Sequence, residues 1–250
     1  MTRGPAMGGR EPRPRRWPWV VMILVTVAAV GVVHSPLMAV DTVEVLGTAR
    51  SDVRRIVDGT GVGPGALLIW VNAGAIEAAV ASDPWVADVR VDRIWPNRVV
   101  VEVIEHQGVV WIEGIQGWML VSRDGTVLEG AEEPGPGLML AELAFPDRLP
   151  GDRPVDPAWH EIVEMALVLS DDIGGTLRLE MRGAEMWTFT FGYEVRFGHP
   201  IDLADKGRTL RALLAEEIPK GAIIDVSSAV RPAIVPLEAQ LAVEIPSTEG

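Results

Sequence analysis

The segment Asp83–Gln107, DPWVADVRVDRIWPNRVVVEVIEHQ, constrains the fold most, because two strand-like runs in it flank a turn. Before the corner at Trp95–Asn97, valines alternate with the charged residues Arg90 and Asp92. After the corner, three further valines recur at every second position. A period of two is typical of half-buried strands, so this segment predicts an antiparallel hairpin.

The elements predicted around this hairpin form a small unit with the order β-α-α-β-β. The run DTVEVLG (Asp41–Gly47) alternates and predicts a first strand, and Ser51 is the expected cap of a first helix. A glycine-rich loop and the strand-like run ALLIWV (66–71) follow. Asn72 is the expected cap of a second helix, which Asp83-Pro84 ends. This unit is too small to enclose an active-site cleft of its own.

The region 108–236 predicts a mainly antiparallel β-domain with two helices. Asp124-Gly125 is a strong hairpin signal. Asp156-Pro157 is a typical helix start, and the apolar spacing extends that helix to about Ser170. The remaining predicted elements are strands at Leu177–Met181, Trp187–Phe191 and Glu194–Phe197, a helix from its cap Asp202 to about Glu217, and a final strand at Ala222–Ser228, AIIDVSS.

The first forty residues combine a basic segment with an apolar one. Residues 1–16 contain five arginines and a single acidic residue, Glu11. No formally charged residue occurs in 17–40 unless His34 is protonated, and roughly 20 apolar residues suffice to cross a bilayer. Basic residues before such a segment favour the cytoplasmic side. The sequence therefore predicts a transmembrane helix at 17–40, with all later residues outside the cytoplasmic membrane.

A cleaved signal peptide is the alternative interpretation of the apolar segment. The apolar core of a signal peptide usually has about 7–15 residues, and the most apolar part here, Val20–Val33, is at the upper edge of that range. The candidate cleavage site near Ala39 has Leu37 two positions earlier, which is a poor match to a small-residue motif. An uncleaved anchor is favoured.

The charge and residue content exclude several classes of function. The net charge is −13, and because the first residues are basic, the remainder is more acidic still. This charge disfavours nucleic-acid binding. The chain has no cysteine, so disulfides and thiolate chemistry are excluded. The four histidines are scattered, and the glycine-rich loop lacks the spacing of a dinucleotide-binding motif. We therefore expect no catalytic residue, metal, cofactor or small-molecule substrate.

The sequence resembles the FtsQ/DivIB family of bacterial cell-division proteins over nearly the whole chain. Two positions depart from the family pattern: Gly108 stands where a proline is common, and Ser228 stands where the best-studied members have an aromatic residue in their partner-binding strand. The matching residues are Pro84-Trp85-Val86, Val89, Arg93, Trp95-Pro96 and Glu102–Glu105, with VEVLG (43–47), WMLVSRDGTVLE (118–129), Lys206 and IIDVSS (223–228) in support.

The resemblance implies an α+β protein with five regions along the chain. They are a basic cytoplasmic tail at 1–16, a single transmembrane helix at 17–40, a POTRA domain at 41–107, a mainly antiparallel β-domain with two helices at 108–236, and a flexible C-terminal tail at 237–250.

The function implied by the resemblance is a non-enzymatic, single-pass type II membrane scaffold at the division septum. Its last strand and the preceding helix would bind extracytoplasmic segments of small coiled-coil partners, FtsB/DivIC and FtsL, by strand addition at a sheet edge. The candidate partner-binding residues are Lys206, Ile223, Ile224, Asp225, Val226, Ser227, Ser228, Ala229 and Val230. The candidate recruitment surface for other divisome components consists of Arg90, Asp92, Arg93 and Arg98.

Other interpretations of the same residues stay open at this point. Ile223 or Ile224 is expected to face the core if the strand is an ordinary one, and Lys206 alternatively is a solvated cation. The four recruitment residues alternatively form cross-strand pairs on a solvated face. For the whole chain, the alternatives are an exported cell-envelope enzyme and a polypeptide-handling POTRA protein of a transport system.

Overall fold

A computed structural model of the chain describes residues 17–33, 35–49, 51–169 and 177–236. The chain divides into two compact units. The predicted tails at 1–16 and 237–250 lie outside the described residues. The first unit takes in residues up to Leu46, residues 50–77 and residues 90–102, and the second takes in residues 47–49, residues 78–89 and the chain from Val103 onward.

The N-terminal apolar segment forms the helix α1, Trp17–Val33, followed by one 3-10 turn at Pro36–Met38. The prediction of one continuous helix over 17–40 is wrong. Pro36 explains the difference, because proline disfavours the helical conformation in the residue before it and cannot donate a backbone hydrogen bond. Within the described ranges, no helix has both the length and the apolar character needed to cross a membrane.

The three-stranded sheet has the predicted β-α-α-β-β order of elements. Its strand order is β1-β3-β2, with β1 parallel to β3. Alternate valines of the hairpin are buried as predicted, since Val99 and Val101 are fully buried. The elements are β1 Thr42–Leu46, α2 Ser51–Gly59, α3 Ala73–Val80, β2 Val86–Ile94 and β3 Arg98–Glu105.

The segment 66–71, predicted as strand-like, differs from that prediction. It contains a 3-10 helix at Leu68–Trp70, and its strand-like pairing with other described residues is a single bridge between Ala39 and Leu67. Ile69 and Trp70 are both exposed, so the run lacks the alternation that a half-buried strand requires. The predicted cap of α3 is confirmed, because Asn72 Oδ1 accepts a hydrogen bond from Ala75 N at 3.2 Å.

The second unit contains a nine-stranded mixed sheet with the order β12-β11-β10-β9-β8-β7-β4-β5-β6. Five of its eight strand pairs are antiparallel, which agrees with the mainly antiparallel sheet predicted. Its strands are β4 Gly108–Gly114, β5 Trp118–Ser122, β6 Val127–Ala131, β7 Met139–Phe145, β8 Arg178–Arg182, β9 Glu185–Thr190, β10 Tyr193–Gly198, β11 Ile223–Asp225 and β12 Ala233–Val235.

Two helices contribute side chains to the apolar core of this unit, together with the sheet. They are α4 Pro157–Leu169 and α5 Leu203–Leu214. The start of α4 agrees with the sequence, because Asp156 Oδ1 accepts a hydrogen bond from Ala158 N at 2.9 Å. Asp202 does not cap α5 with its side chain, contrary to prediction. Glu161 of α4 replaces it, since Glu161 Oε2 accepts a hydrogen bond from Leu203 N at 2.7 Å.

A smaller apolar cluster in the same unit contains Trp111, Leu120 and Leu128. Trp85 packs against it and is half-buried. Gly108, which departs from the family pattern, lies next to this cluster, because a Cβ added there would be 2.7 Å from Leu120 Cδ1. The glycine therefore allows β4 to lie close to the Leu120 side chain.

Candidate partner-binding border

The predicted partner-binding strand lies near one border of the nine-stranded sheet. β11 runs parallel to β10, with Val195 beside Ile224. On its other side, β11 pairs with the antiparallel strand β12, in which Ile234 lies beside Ile224. The prediction that Ala222–Ser228 is the final strand is therefore wrong. The chain turns after β11 and returns, so β12 forms the border of the described sheet.

The predicted binding residues occupy three different environments. Ile224 and Val226 are fully buried in the main core, so they stabilise the fold. Ile223 and Asp225 are half-buried on the opposite face of β11. Residues 227–230 belong to the turn between β11 and β12. In that turn Ser227 and Ser228 are exposed, Ala229 is half-buried and Val230 is exposed.

The turn is attached to α5 by one hydrogen bond. Thr209 Oγ1 donates to Ala229 O at 3.1 Å. A second close approach occurs at Gly198, where an added Cβ would lie 2.9 Å from Ser227 Cβ. Gly198 also has a φ of +67°, which favours glycine. These contacts fix the path of the chain between β11 and β12.

Lys206 is buried rather than available at the surface. Only 3% of the residue is exposed, and its Nζ donates to His199 O at 2.8 Å. Burial lowers the pKa of Lys206, although the nearby carboxylates of Asp202, Glu161 and Asp225 oppose the shift. Both sequence interpretations of this residue required an accessible ammonium group. The described position gives Lys206 a structural contact instead.

Arg196 is the centre of an ion-pair cluster on the half-exposed face of β9, β10 and β11. Its Nε and Nη2 both donate to Glu185, with Nε 2.8 Å from Oε2, and its Nη1 donates to Asp225 Oδ2 at 3.1 Å. The hydrogen bonds to Glu185 raise the pKa of Arg196 further, so it stays cationic. The same bonds lower the pKa of Glu185.

Asp225 joins this cluster to the turn. Burial by itself raises the pKa of Asp225, but hydrogen bonds from Ser227 and the charge of Arg196 outweigh burial and leave the pKa below its ordinary value. Ser227 N lies 2.8 Å from Asp225 Oδ1. The backbone adds a further link, because Val226 N donates to Arg196 O at 2.9 Å. Thus β11 is held to β10 by side-chain and main-chain contacts together.

The ring of Trp187 in β9 also belongs to this cluster, because two guanidinium groups lie close to it. The Arg182 guanidinium lies 5.1 Å from the ring centroid and that of Arg196 lies 5.9 Å from it. Both distances are in the range of cation–π attraction. Arg182 in turn binds the carboxylates of Glu180 and Glu194, and the hydrogen bond to Glu194 raises its pKa. This face of the sheet is consequently ordered by paired charges.

The candidate recruitment residues lie on or beside the three-stranded sheet. Arg90 Nε pairs with Asp92 Oδ2 at 2.9 Å within β2. Arg98 Nη1 pairs with Glu44 Oε1 at 3.2 Å across β3 and β1. Arg93 Nη1 donates to a backbone oxygen in the 3-10 region. The Arg98–Glu44 contact is a cross-strand charge pair, as the alternative predicts, whereas the Arg90–Asp92 pair lies within one strand. A recruitment role stays a prediction.

Several residues of the border were not anticipated from the sequence. Arg196 belongs to a predicted strand and Glu185 lies two residues before another, but their pairing depends on strand register, which the sequence pattern leaves open. The strand β12 has only three residues, although Pro232 and Pro236 bound it and mark it as a separate segment. Among the described residues, no group of three or more His, Asp or Glu side chains is arranged to hold a metal.

Residues 38–106 match the family described as POTRA domain, FtsQ-type. The chain therefore contains an FtsQ-type POTRA domain. Its similarity to curated proteins extends well beyond that domain, as the following relatives indicate.

Several relatives carry the name cell division protein FtsQ. The protein of Mycolicibacterium smegmatis is 29% identical over 223 residues, covering 86% of this chain and 63% of the relative. That of Streptomyces venezuelae is 28% identical over 246 residues, covering 92% and 89%. That of Corynebacterium glutamicum is 30% identical over 106 residues, covering 42% and 48%. The chain is thus similar to cell division proteins named FtsQ over most of its length. It spans less than two thirds of the M. smegmatis relative and about half of the C. glutamicum relative.

Proposed function

We propose that this chain is a non-enzymatic scaffold of the bacterial division machinery, which captures extracytoplasmic segments of FtsB/DivIC-like and FtsL-like proteins. Capture occurs by addition of a partner strand to the sheet border at β12. The observation that carries the proposal is the position of β12, which is the outermost strand beside the residues that the family resemblance marks for binding.

Strand addition suits this border for a physical reason. An outer strand presents backbone donors and acceptors that a partner chain can pair with, and each such bond gives about 1 kcal/mol net. Ala233 and Val235 lie opposite Asp225 and Ile223, so they share the half-exposed face of β11. A partner strand beside β12 gains a small apolar contact on that face in addition to the main-chain bonds.

The ion-pair cluster supports this role by keeping the border rigid. Arg196 connects β9 to β11 through Glu185 and Asp225, so the support beneath β12 is fixed before a partner arrives. A preordered border loses less conformational entropy on binding than a mobile one. The cluster therefore favours capture without itself touching the partner.

Membrane association is part of the proposal. α1 is apolar on all sides and its described side chains are exposed, which leaves its surface suited to a lipid environment. Arginines precede it in the sequence, which favours a cytoplasmic N-terminus and extracytoplasmic later residues. A fluorescent fusion is expected to form a mid-cell band in dividing cells, and a uniform membrane signal would contradict the septal location.

Cysteine cross-linking tests the border directly, because the natural chain contains no cysteine. The full chain carries Ala233→Cys or Val235→Cys in β12, or the matched changes Asp225→Cys or Ile223→Cys in β11. Each is co-produced with an FtsB/DivIC-like partner that carries single cysteines along its extracytoplasmic segment. Adjacent strands lie about 4.8 Å apart, and a disulfide needs Cα atoms within about 7 Å.

Cross-links are expected from β12 and not from β11, because β11 would be two strands away, at about 10 Å. Cross-links from β11 alone would mean that the partner displaces β12, and the border assignment would then be wrong. Absence of cross-links at all four positions, with the complex intact, would place the partner elsewhere and overturn strand addition at this border.

A further inference from the structure

Three segments of the first unit meet where the chain arrives from α1. They are residues 35–41, 59–72 and 94–97, and we call their common surface the apolar end. The contacts that join them are Val40 N to Ala66 O at 2.6 Å, Gly65 N to Val40 O at 3.0 Å and Asp41 N to Asn97 O at 2.8 Å.

The apolar end is almost free of charge. In a chain of which 23% of residues are charged, these three segments contain a single charged residue, Asp41. Solvated surfaces of soluble proteins usually mix charges of both signs. The composition of the apolar end therefore differs from that of a surface that faces only water.

Large apolar side chains project from this end. Leu37 is 73% exposed, Trp70 71% and Trp95 57%, and Ile69 and Ile94 are exposed beside them. An open pocket of about 520 Å³ lies among the three segments. Tryptophan is enriched at membrane interfaces, where its ring meets apolar chains while its N–H stays near polar groups.

The position of this surface along the chain identifies its partner. Leu37 follows the end of α1 at Val33 by four residues, which span at most about 15 Å. If α1 is in the bilayer, the apolar end cannot be far from the lipid headgroups. Arg93 lies next to the same surface, with Nη1 3.3 Å from Val71 O, and suits anionic headgroups.

We infer that the apolar end inserts into the outer interface of the membrane and holds the first unit against the lipid surface. The inference rests on the membrane association in the proposed function. It adds a second membrane contact, formed by Trp70, Trp95 and their apolar neighbours. Such a contact fixes which end of β1 faces the lipid and which end faces away.

The test uses the full chain reconstituted into vesicles of phosphatidylethanolamine and phosphatidylglycerol, a fraction of which carries a spin label on the acyl chain. A fluorophore is attached to a single cysteine, introduced by Trp70→Cys or Ile94→Cys at the apolar end. The matched control is Leu46→Cys, because Leu46 is 48% exposed and lies at the other end of β1. Val25→Cys in α1 reports membrane association separately.

Quenching by the lipid spin label at Trp70 and Ile94 is expected to exceed that at Leu46 by about threefold, since an apolar surface at the interface is buried about 5–10 Å into the boundary between headgroups and acyl chains. The pair Trp70→Glu and Trp95→Glu, read at Ile94, is expected to lower quenching to the Leu46 level, whereas Trp70→Phe with Trp95→Phe preserves it. Equal quenching at Trp70, Ile94 and Leu46 overturns the inference. The Val25 label then decides whether membrane association fails with it.

Discussion

The last two strands of the described sheet, β11 and β12, differ in how many contacts attach them to the core. β11 contributes the fully buried Ile224 to the core, and its Asp225 pairs with Arg196. β12 contributes no fully buried residue, and its Ala233 is exposed. The two strands are equally short and directly paired. Of these two strands, only β11 contributes side chains to the core of the second unit.

This difference separates residues that support the border from residues that form it. The run IIDV has the strongest strand pattern near the C-terminus because it alternates between the core and the charged face. That same alternation commits its side chains to contacts within the chain. The weaker strand β12 buries fewer side chains in the core, so the strongest strand pattern and the border of the described sheet fall on different strands.

The largest expected difference between the two strands concerns stability. Ile224→Ala is expected to lower the free energy of unfolding by about 3 kcal/mol, because it leaves a cavity in the packed core. Ile234→Ala, opposite it in β12, is expected to cost less than about 1 kcal/mol, because Ile234 is only half-buried. Denaturant unfolding followed by tryptophan fluorescence measures both values.

Equal losses for the two variants would contradict the comparison, since β12 would then be as much a part of the core as β11. A control for general sensitivity is Val230→Ala in the connecting turn. Val230 is 89% exposed, so this change is expected to leave the unfolding free energy within about 0.5 kcal/mol of the natural chain.

The sequence allowed most of the first unit to be predicted, because its signals are local. The alternating valines of the hairpin and the Asn72 cap each depend on residues close in the chain. The start of α5 after Asp202 was predicted correctly, but its capping contact was not, because Glu161, forty-two residues before Leu203, accepts the hydrogen bond that was expected at Asp202. Long-range contacts of this kind have no short sequence signature.

The candidate site was harder to predict than the fold. The β10–β11 region was located, but the pairing of Arg196 with Asp225 requires the parallel register of those strands. β7 was missed for a similar reason, since it lies between two parallel neighbours, β4 and β8. β12 was missed because three residues are too few for a periodic pattern.

A moderate effect is expected when the ion pair behind β11 is removed. Asp225→Asn is expected to lower the free energy of unfolding by about 1 kcal/mol at neutral pH, a value kept small because the Arg196 side chain is 36% exposed. No matching loss is expected in β12, where no ion pair is described. Urea unfolding of the natural chain and the variant at pH 7 measures the difference.

The pH dependence of this difference has a definite sign. The pKa of Asp225 is below its ordinary value in the folded chain, so the unfolded chain binds the proton more readily. The stabilising contribution is therefore present above about pH 4, the ordinary pKa of aspartate, and is lost as the pH falls through the folded value. A difference between natural chain and variant that grows in acid would contradict the assignment.

The smallest expected effect concerns Lys206. Its burial decides whether a partner at the border could reach its ammonium group. Burial lowers the pKa of Lys206, so the unfolded chain binds its proton more tightly than the folded chain. Relative to Lys206→Met, the natural chain should therefore gain stability as the pH rises towards the ordinary lysine pKa of about 10.4. The variant also loses the hydrogen bond to His199 O, but that bond is made by either protonation state, so its loss adds an offset without changing the slope. Unfolding curves of both proteins across this pH range measure the slope.

A difference that falls with rising pH would mean that the ammonium is stabilised by acidic neighbours, and Lys206 would again be a candidate for pairing with a partner carboxylate.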